Sequence, residues 1–207
     1  SGYGNNAVCG GAGQCPVASL PGAPNAPLSD YALSFNSNQY LRVADSATFD
    51  YDANRSFTWM TWVKTNTSSP IMRKGIGETN DLMLSINSGG QLQAGFGNPL
   101  GSNTLSAGPN LRDNAWHHVA VTLDRTTGTA TLYTDGVARG TGNFTGSFVT
   151  ADDLFIGSGN TAGYIGQLDH LQIYNVALDA ASITAIYNRT NQSYCVATNA
   201  SSNGATI

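Results

Sequence analysis

Thirteen acidic residues, three histidines and three cysteines are the groups in this 207-residue chain that could carry catalysis or bind a metal. Retaining glycoside hydrolysis needs two carboxyl groups about 5–5.5 Å apart, one as nucleophile and one as acid and base. Glu78 is the only glutamate, and no predicted strand carries two acidic residues on one face. The closest groupings, Asp50/Asp52 and Asp152/Asp153, fall in predicted turns, so an acid pair would have to come from distant strands. A nucleophile–histidine–acid triad is no better served. His117 and His118 are adjacent in a strand and point to opposite faces, as do Asp169 and His170. No serine sits in a G-x-S-x-G elbow, and no C-x-x-C or Cys/His cluster suggests zinc. The expectation is a chain that binds rather than cuts.

The elements that must position these groups are strands. In AWHHVAVTLDRTTGTATLYTDGV (115–137), Val119, Val121 and Leu123 recur every second residue, the period of a half-buried strand. Asp124–Gly128 has the composition of a hairpin loop, Thr129–Thr134 alternates again, and Asp135-Gly136 suits a tight turn with positive φ. Ser56–Lys64 is apolar on both faces: Phe57, Trp59 and Val63 on one, Met60 and Trp62 on the other. Such a strand is covered on both sides, or one face lines a binding surface. Further strands are expected at Tyr31–Val43 (a pair), Pro70–Lys74, Asp81–Ile86, Gln91–Phe96, Phe144–Phe148, Leu154–Gly157 and Tyr164–Tyr174. Asn98–Arg112 reads as a rim loop able to carry specificity, with Asn98 and Asn103 as hydrogen-bonding groups. Leu178–Asn188 is the one good helix candidate, capped by Asp179.

WHHVAVT, a short polar turn and LYTDGV together resemble the central hairpin of laminin G-like domains, in the concanavalin A-like lectin/glucanase superfamily. ALSFNSNQYLRVADS (32–46), SFTWMTWVK (56–64), DLFIGSG (153–159) and GQLDHLQIYNVALDAASITAIYN (166–188) follow in the family's order. The resemblance implies an all-β, antiparallel two-sheet jelly-roll sandwich over residues 31–188, with one short C-terminal helix. It also implies two places for calcium. Asp81 matches the family's rim ligand and Asn98 its carbonyl donor. The family's further Asn donor is not reproduced: Val149 falls near it, with Thr150, Asp152 or Asp153 as substitutes. Relatives also carry acidic groups after the first strand and in the closing strand, where this chain has Asn36-Ser37 and Asp169-His170. The family treats Trp62 and Trp116 as routine core. Trp59 departs from its usual smaller aliphatic residue, which makes Trp59 the first candidate to stack on a sugar.

Composition sets the setting. Net charge is −4, and the nine Lys and Arg residues are dispersed, which argues against nucleic acid. Charged residues make up 11%, against an ordinary ~25%, a weakly charged polar surface that suits a secreted or cell-surface protein. No apolar run approaches the ~18 residues of a membrane span. Residues 1–30, with six glycines and four prolines, read as an N-terminal arm or linker, and 189–207 as a polar tail. Cys9 and Cys15 bracket a flexible loop fit for a disulfide; Cys195 is the alternative partner for either. The six N-x-S/T sequons, among them Asn54 and Asn143, scarcely exceed chance. The expected function is a non-catalytic extracellular recognition module for glycan or protein, with calcium as a candidate aid. The rival is a structural subunit of a surface filament that docks on other copies through its arm or tail. A glycan-active enzyme is the weaker alternative.

Overall fold

The computed structural model describes residues 6–24, 31–75, 81–97, 103–157 and 163–188. Glu78, Asn98, Cys195 and the expected tail lie outside the described residues. The first seven strands are β1 (Ala7–Cys9), β2 (Val17–Ser19), β3 (Ala32–Phe35), β4 (Leu41–Val43), β5 (Phe57–Lys64), β6 (Ser69–Lys74) and β7 (Leu82–Ile86). Then come β8 (Leu92–Phe96), β9 (Thr104–Ala107), β10 (Trp116–Asp124), β11 (Thr129–Thr134), β12 (Val137–Asn143), β13 (Leu154–Ile156), β14 (Gly166–Tyr174) and the helix α1 (Ala180–Asn188). They form two seven-stranded antiparallel sheets, ordered β1-β4-β13-β6-β7-β8-β9 and β12-β11-β10-β5-β14-β3-β2. This is the expected two-sheet jelly-roll sandwich.

The central meander follows from its alternation. β10 pairs with β5 so that Val121 faces Trp59 and Ala120 faces Met60. Phe57, Trp59, Val63, Val119, Val121 and Leu123 then point into the space between the sheets. Asp135 and Gly136 both take positive φ, 53° and 75°, the backbone of a tight hairpin whose twist matches its strands. On the opposite face Met60, Ala120 and Tyr133 pack with Ile183, Leu178 and Ile186. Helix α1 thus covers the second apolar face of β5. Asp179 Oδ1 caps it by accepting the Ser182 N–H at 2.7 Å.

Two expectations are corrected. Phe144–Phe148 is not a strand; only Phe148 makes a bridge, to Tyr51, and the strand lies earlier, as β12. Its glycines masked the alternation, and they have a packing reason. A Cβ at Gly140 would sit 2.7 Å from the Ala107 Cβ, so glycine lets β12 and β9 close that side of the sandwich. The loop Asn98–Arg112 contains β9, too short and too flanked by Gly and Pro to read as a strand. Of the two readings of the N-terminal segment, residues 6–24 form an arm packed on its own domain: β1 pairs with β4 and β2 with β3, adding the outermost strand to each sheet. A Cys9–Cys15 disulfide closes the loop between them.

Asp169 anchors this arm. Its side chain is 8% exposed, and its two carboxylate oxygens accept the Ala23 N–H and the His170 N–H, both at 2.7 Å. Burial pushes its pKa up, but hydrogen bonds from His170 and the Ala23 amide together outweigh that and hold it below the usual range. Removing a charged acceptor orphans buried amides at about 1–3 kcal/mol. Asp169→Ala is therefore expected to lose about 2 kcal/mol in urea unfolding and to expose residues 17–24 to hydrogen exchange. Protection of those amides at the wild-type level would refute the anchor.

Candidate functional site

The predicted chemical residues separate. His117 and His118 face opposite ways, as expected. His117 is bridged by two carboxylates, Nδ1 to Asp135 Oδ2 at 2.9 Å and Nε2 to Asp113 Oδ1 at 3.2 Å. The Asp135 bond, resisted by burial and reinforced by Asp113, raises its pKa. His118 is 2% exposed, under α1, with its ring edge-on to Trp62 at 5.5 Å. Burial pushes its pKa down to about 4, against a smaller upward pull from Asp135. Both histidines are structural.

The two calcium places fare differently. Asp169 lies one residue past Leu168, which pairs with Leu33. Register therefore sets it about four residues, or roughly 13 Å, from Asn36, and the two are not brought together. Asp81 is fully buried at the start of β7. Its Oδ2 accepts the Arg73 Nη2–H at 2.8 Å, and its carbonyl accepts the Gly97 N–H at 2.7 Å. Asn98 is the next residue and lies outside the described residues. The substitutes for the missing donor are also engaged. Lys74 Nζ donates to the carbonyls of Thr150 and Asp152, and Arg42 Nη1 lies 3.0 Å from Asp153 Oδ2. Calcium takes six to eight oxygen ligands. Among the described residues no group of three or more His, Cys, Asp or Glu side chains converges on a metal position. Of the family's rim set, Asp81 is thus paired with Arg73, and Asn98 lies outside the described residues.

The sugar-stacking candidate is also corrected. Trp59 is fully buried between the sheets, and its Nε1–H donates to Tyr51 Oη at 2.9 Å, so no ring face is open to a ligand. Trp62 is covered by Tyr187, stacked on it at 5.6 Å. Asn103 is exposed, and its carbonyl accepts the Phe96 N–H at 2.9 Å.

What the fold assembles instead is an open groove of about 630 Å³ at the end of the second sheet where β5 begins and β10 and β14 end. Three turns meet there: Asp52, Asn54, Arg55 and Ser56 from one, Asp124 and Thr126 from the second, Asn175, Val176 and Ala177 from the third. Each turn is locally held. Asp52 Oδ1 accepts the Asn54 N–H at 2.8 Å. Asp124 Oδ1 accepts both the N–H and the Oγ1–H of Thr126, at 2.8 and 2.7 Å. Thr58 Oγ1 donates to the Val176 carbonyl and accepts the Leu178 N–H, at 2.8 and 2.9 Å. Hydrogen bonds from the Thr126 hydroxyl and amide hold the Asp124 carboxyl below the usual range. Asp52 and the Asp124–Gly128 loop read as turns in the sequence; nothing in it shows that they converge with residues 175–177.

A family model described as the concanavalin A-like lectin/glucanases superfamily matches residues 35–184. The chain belongs to this superfamily. This superfamily member has no match among curated protein sequences. Among solved structures it is similar to the binding domain of Paraclostridial Mosquitocidal Protein 1, with TM-score 0.67 and 12% identity over 89% of this chain and 47% of that one. It spans about half the length of that structure. It is also similar to domain 4 of AbnA, an extracellular arabinanase from Geobacillus stearothermophilus, in complex with arabinotriose. That match has TM-score 0.60 and 18% identity over 77% of each chain. A third likeness is the CBM40 of Ruminococcus gnavus IT-sialidase bound to α2,3-sialyllactose, with TM-score 0.55 and 18% identity over 74% of this chain and 98% of that one.

Proposed function

We propose that this chain is a non-catalytic glycan-recognition module and that sugar sits in the Asp52/Asp124/Asn175 groove. The observation that carries the reading is the groove's lining. Carboxylates, carboxamides and hydroxyls there can accept and donate hydrogen bonds to sugar hydroxyls, and Val176, 54% exposed, offers an apolar contact to a pyranose C–H face. Solved structures of the same fold, one holding arabinotriose and one sialyllactose, support glycan as the ligand class. The fold alone leaves the charge of that glycan open, since one of those ligands is neutral and the other anionic. The groove has two carboxylates against one guanidinium, and Arg55 Nη1 is engaged by the Ala47 carbonyl. That balance favours an uncharged sugar.

Binding is the role the same groups support: Thr126 holds the Asp124 carboxyl below the usual range, which suits a hydrogen-bond acceptor rather than a protonated general acid. The Cys9–Cys15 disulfide and the weakly charged surface support a secreted or cell-surface setting. No helix among the described residues is long and apolar enough to cross a membrane.

The test is calorimetry and amide-shift mapping with a panel of neutral oligosaccharides, arabinotriose included, and with α2,3-sialyllactose. A neutral member is expected to shift the Asn54, Thr126 and Asn175 amides. Asp52→Asn combined with Asn175→Ala should weaken it at least about tenfold, which corresponds to ~1.4 kcal/mol. Silence across the panel at millimolar sugar, or release of reducing ends by the wild type, would remove the reading.

A further inference from the structure

Lys74 is the last residue of β6, in register with Leu82 on one side and Leu154 on the other. Those neighbours point into the core, and Lys74 is as buried as they are, 0% exposed. Lysine is almost never fully buried without a partner. Its ammonium is held at the rim by three oxygens from two separate loops: the Asp45 carboxylate, the Thr150 carbonyl at 3.0 Å and the Asp152 carbonyl. One carboxylate and two backbone carbonyls are the donors that a hard cation such as calcium takes. The same rim is cross-tied nearby, since Asp153 accepts the Asp45 N–H at 2.8 Å through Oδ1 and pairs with Arg42 through Oδ2. The rim carboxylate just before β7, Asp81, pairs with Arg73 at 2.8 Å.

We propose that the Lys74 ammonium is the structural cation of this rim, joining the 45 and 150–152 loops in the way a bound metal ion would. The charge is covalently attached, so the rim stays organised at any calcium concentration. A metal ion entering these oxygens would have to expel an ammonium that cannot diffuse away. At Asp81 it would meet the positive charge of Arg73. The inference is independent of where the glycan sits.

Thermal unfolding of the whole chain tests it. The wild-type midpoint is expected to be the same in EDTA and in about 10 mM calcium, a concentration above the affinity range of extracellular calcium modules. Lys74→Ala leaves a carboxylate and two carbonyls facing a cavity and is expected to melt about 10 °C lower. Ethylammonium or calcium should recover part of that loss, whereas Lys74→Met, which fills the cavity without charge, should show no recovery. Should neither variant fold, the wild-type titration decides alone. A calcium-dependent rise of several degrees in the wild type, abolished by Asp81→Asn, would overturn the proposal. So would a Lys74→Ala protein that melts with the wild type.

Discussion

Replacing Trp59 with alanine is expected to cost about 3–5 kcal/mol of stability, the range for deleting a large buried aromatic. The indole lies at the centre of the sandwich, opposite Val121 on β10 and Ile173 on β14. Its ring meets Tyr51 edge-on at 6.1 Å and Phe57 at 5.9 Å. Truncation opens a cavity and also strands the Tyr51 hydroxyl, whose burial already pushes its pKa up to about 12. Trp59→Phe separates the two effects. It keeps most of the volume and loses only the 2.9 Å bond to Tyr51, at about 1–3 kcal/mol. Urea unfolding reads both variants. Glycan affinity of the folded Trp59→Phe protein should equal that of the wild type. A loss of affinity without a loss of stability would return Trp59 to the ligand.

Acid should weaken the domain through His118. Its folded pKa is pushed down to about 4 by burial, from an ordinary 6.5. The depressed value means that its stabilising contribution is complete above pH 6.5 and is lost as pH falls from there towards 4. The difference corresponds to at most about 3 kcal/mol. The ring sits between Trp62 and Tyr187, at 5.5 and 6.1 Å, so a charge there works against the seat of α1 on the sheet. His118→Leu should flatten this limb of the stability curve and leave pH 7.5 little changed, because the buried Nδ1 has no hydrogen-bond partner to lose. Denaturant titrations of both proteins from pH 4 to 8 give the comparison. Parallel curves would refute the assignment. The neighbouring His117 has the opposite sign. Its raised pKa gives stability that is complete below pH 6.5 and fades as pH rises through the folded value.

Trp59 and the groove mark where reading the chain by its residues succeeds and where it stops. Period-two alternation in 119–123 and 129–134, the polar Asp124–Gly128 loop and the Asp135-Gly136 turn are local signals, and they predict β10, β11, the hairpin between them and the turn after β11. Strand β12 was missed because Gly140 and Gly142 carry no side chain to alternate; their reason is a close approach to Ala107 and Phe144. An apolar strand such as 57–64 announces burial on both faces but not the identity of its cover, which proved to be α1. Residue type suggested a metal role for Asp81, and only the structure shows its side-chain partner. Arg73, eight positions earlier, becomes that partner only across the β6–β7 pair.

Alternating side chains, turn residues and one capped helical stretch were therefore enough to mark the central meander and the helix, while the two-sheet sandwich came from the ordered resemblance to laminin G-like domains. The meander and the helix each depend on neighbours within a few residues. The tertiary structure alone decided what the polar groups do: Lys74 on two distant loops, Asp169 on the arm, and three turns joined into a groove. Those outcomes depend on contacts between residues as much as 146 positions apart. Such contacts are set by sheet order and register, which local periodicity does not encode.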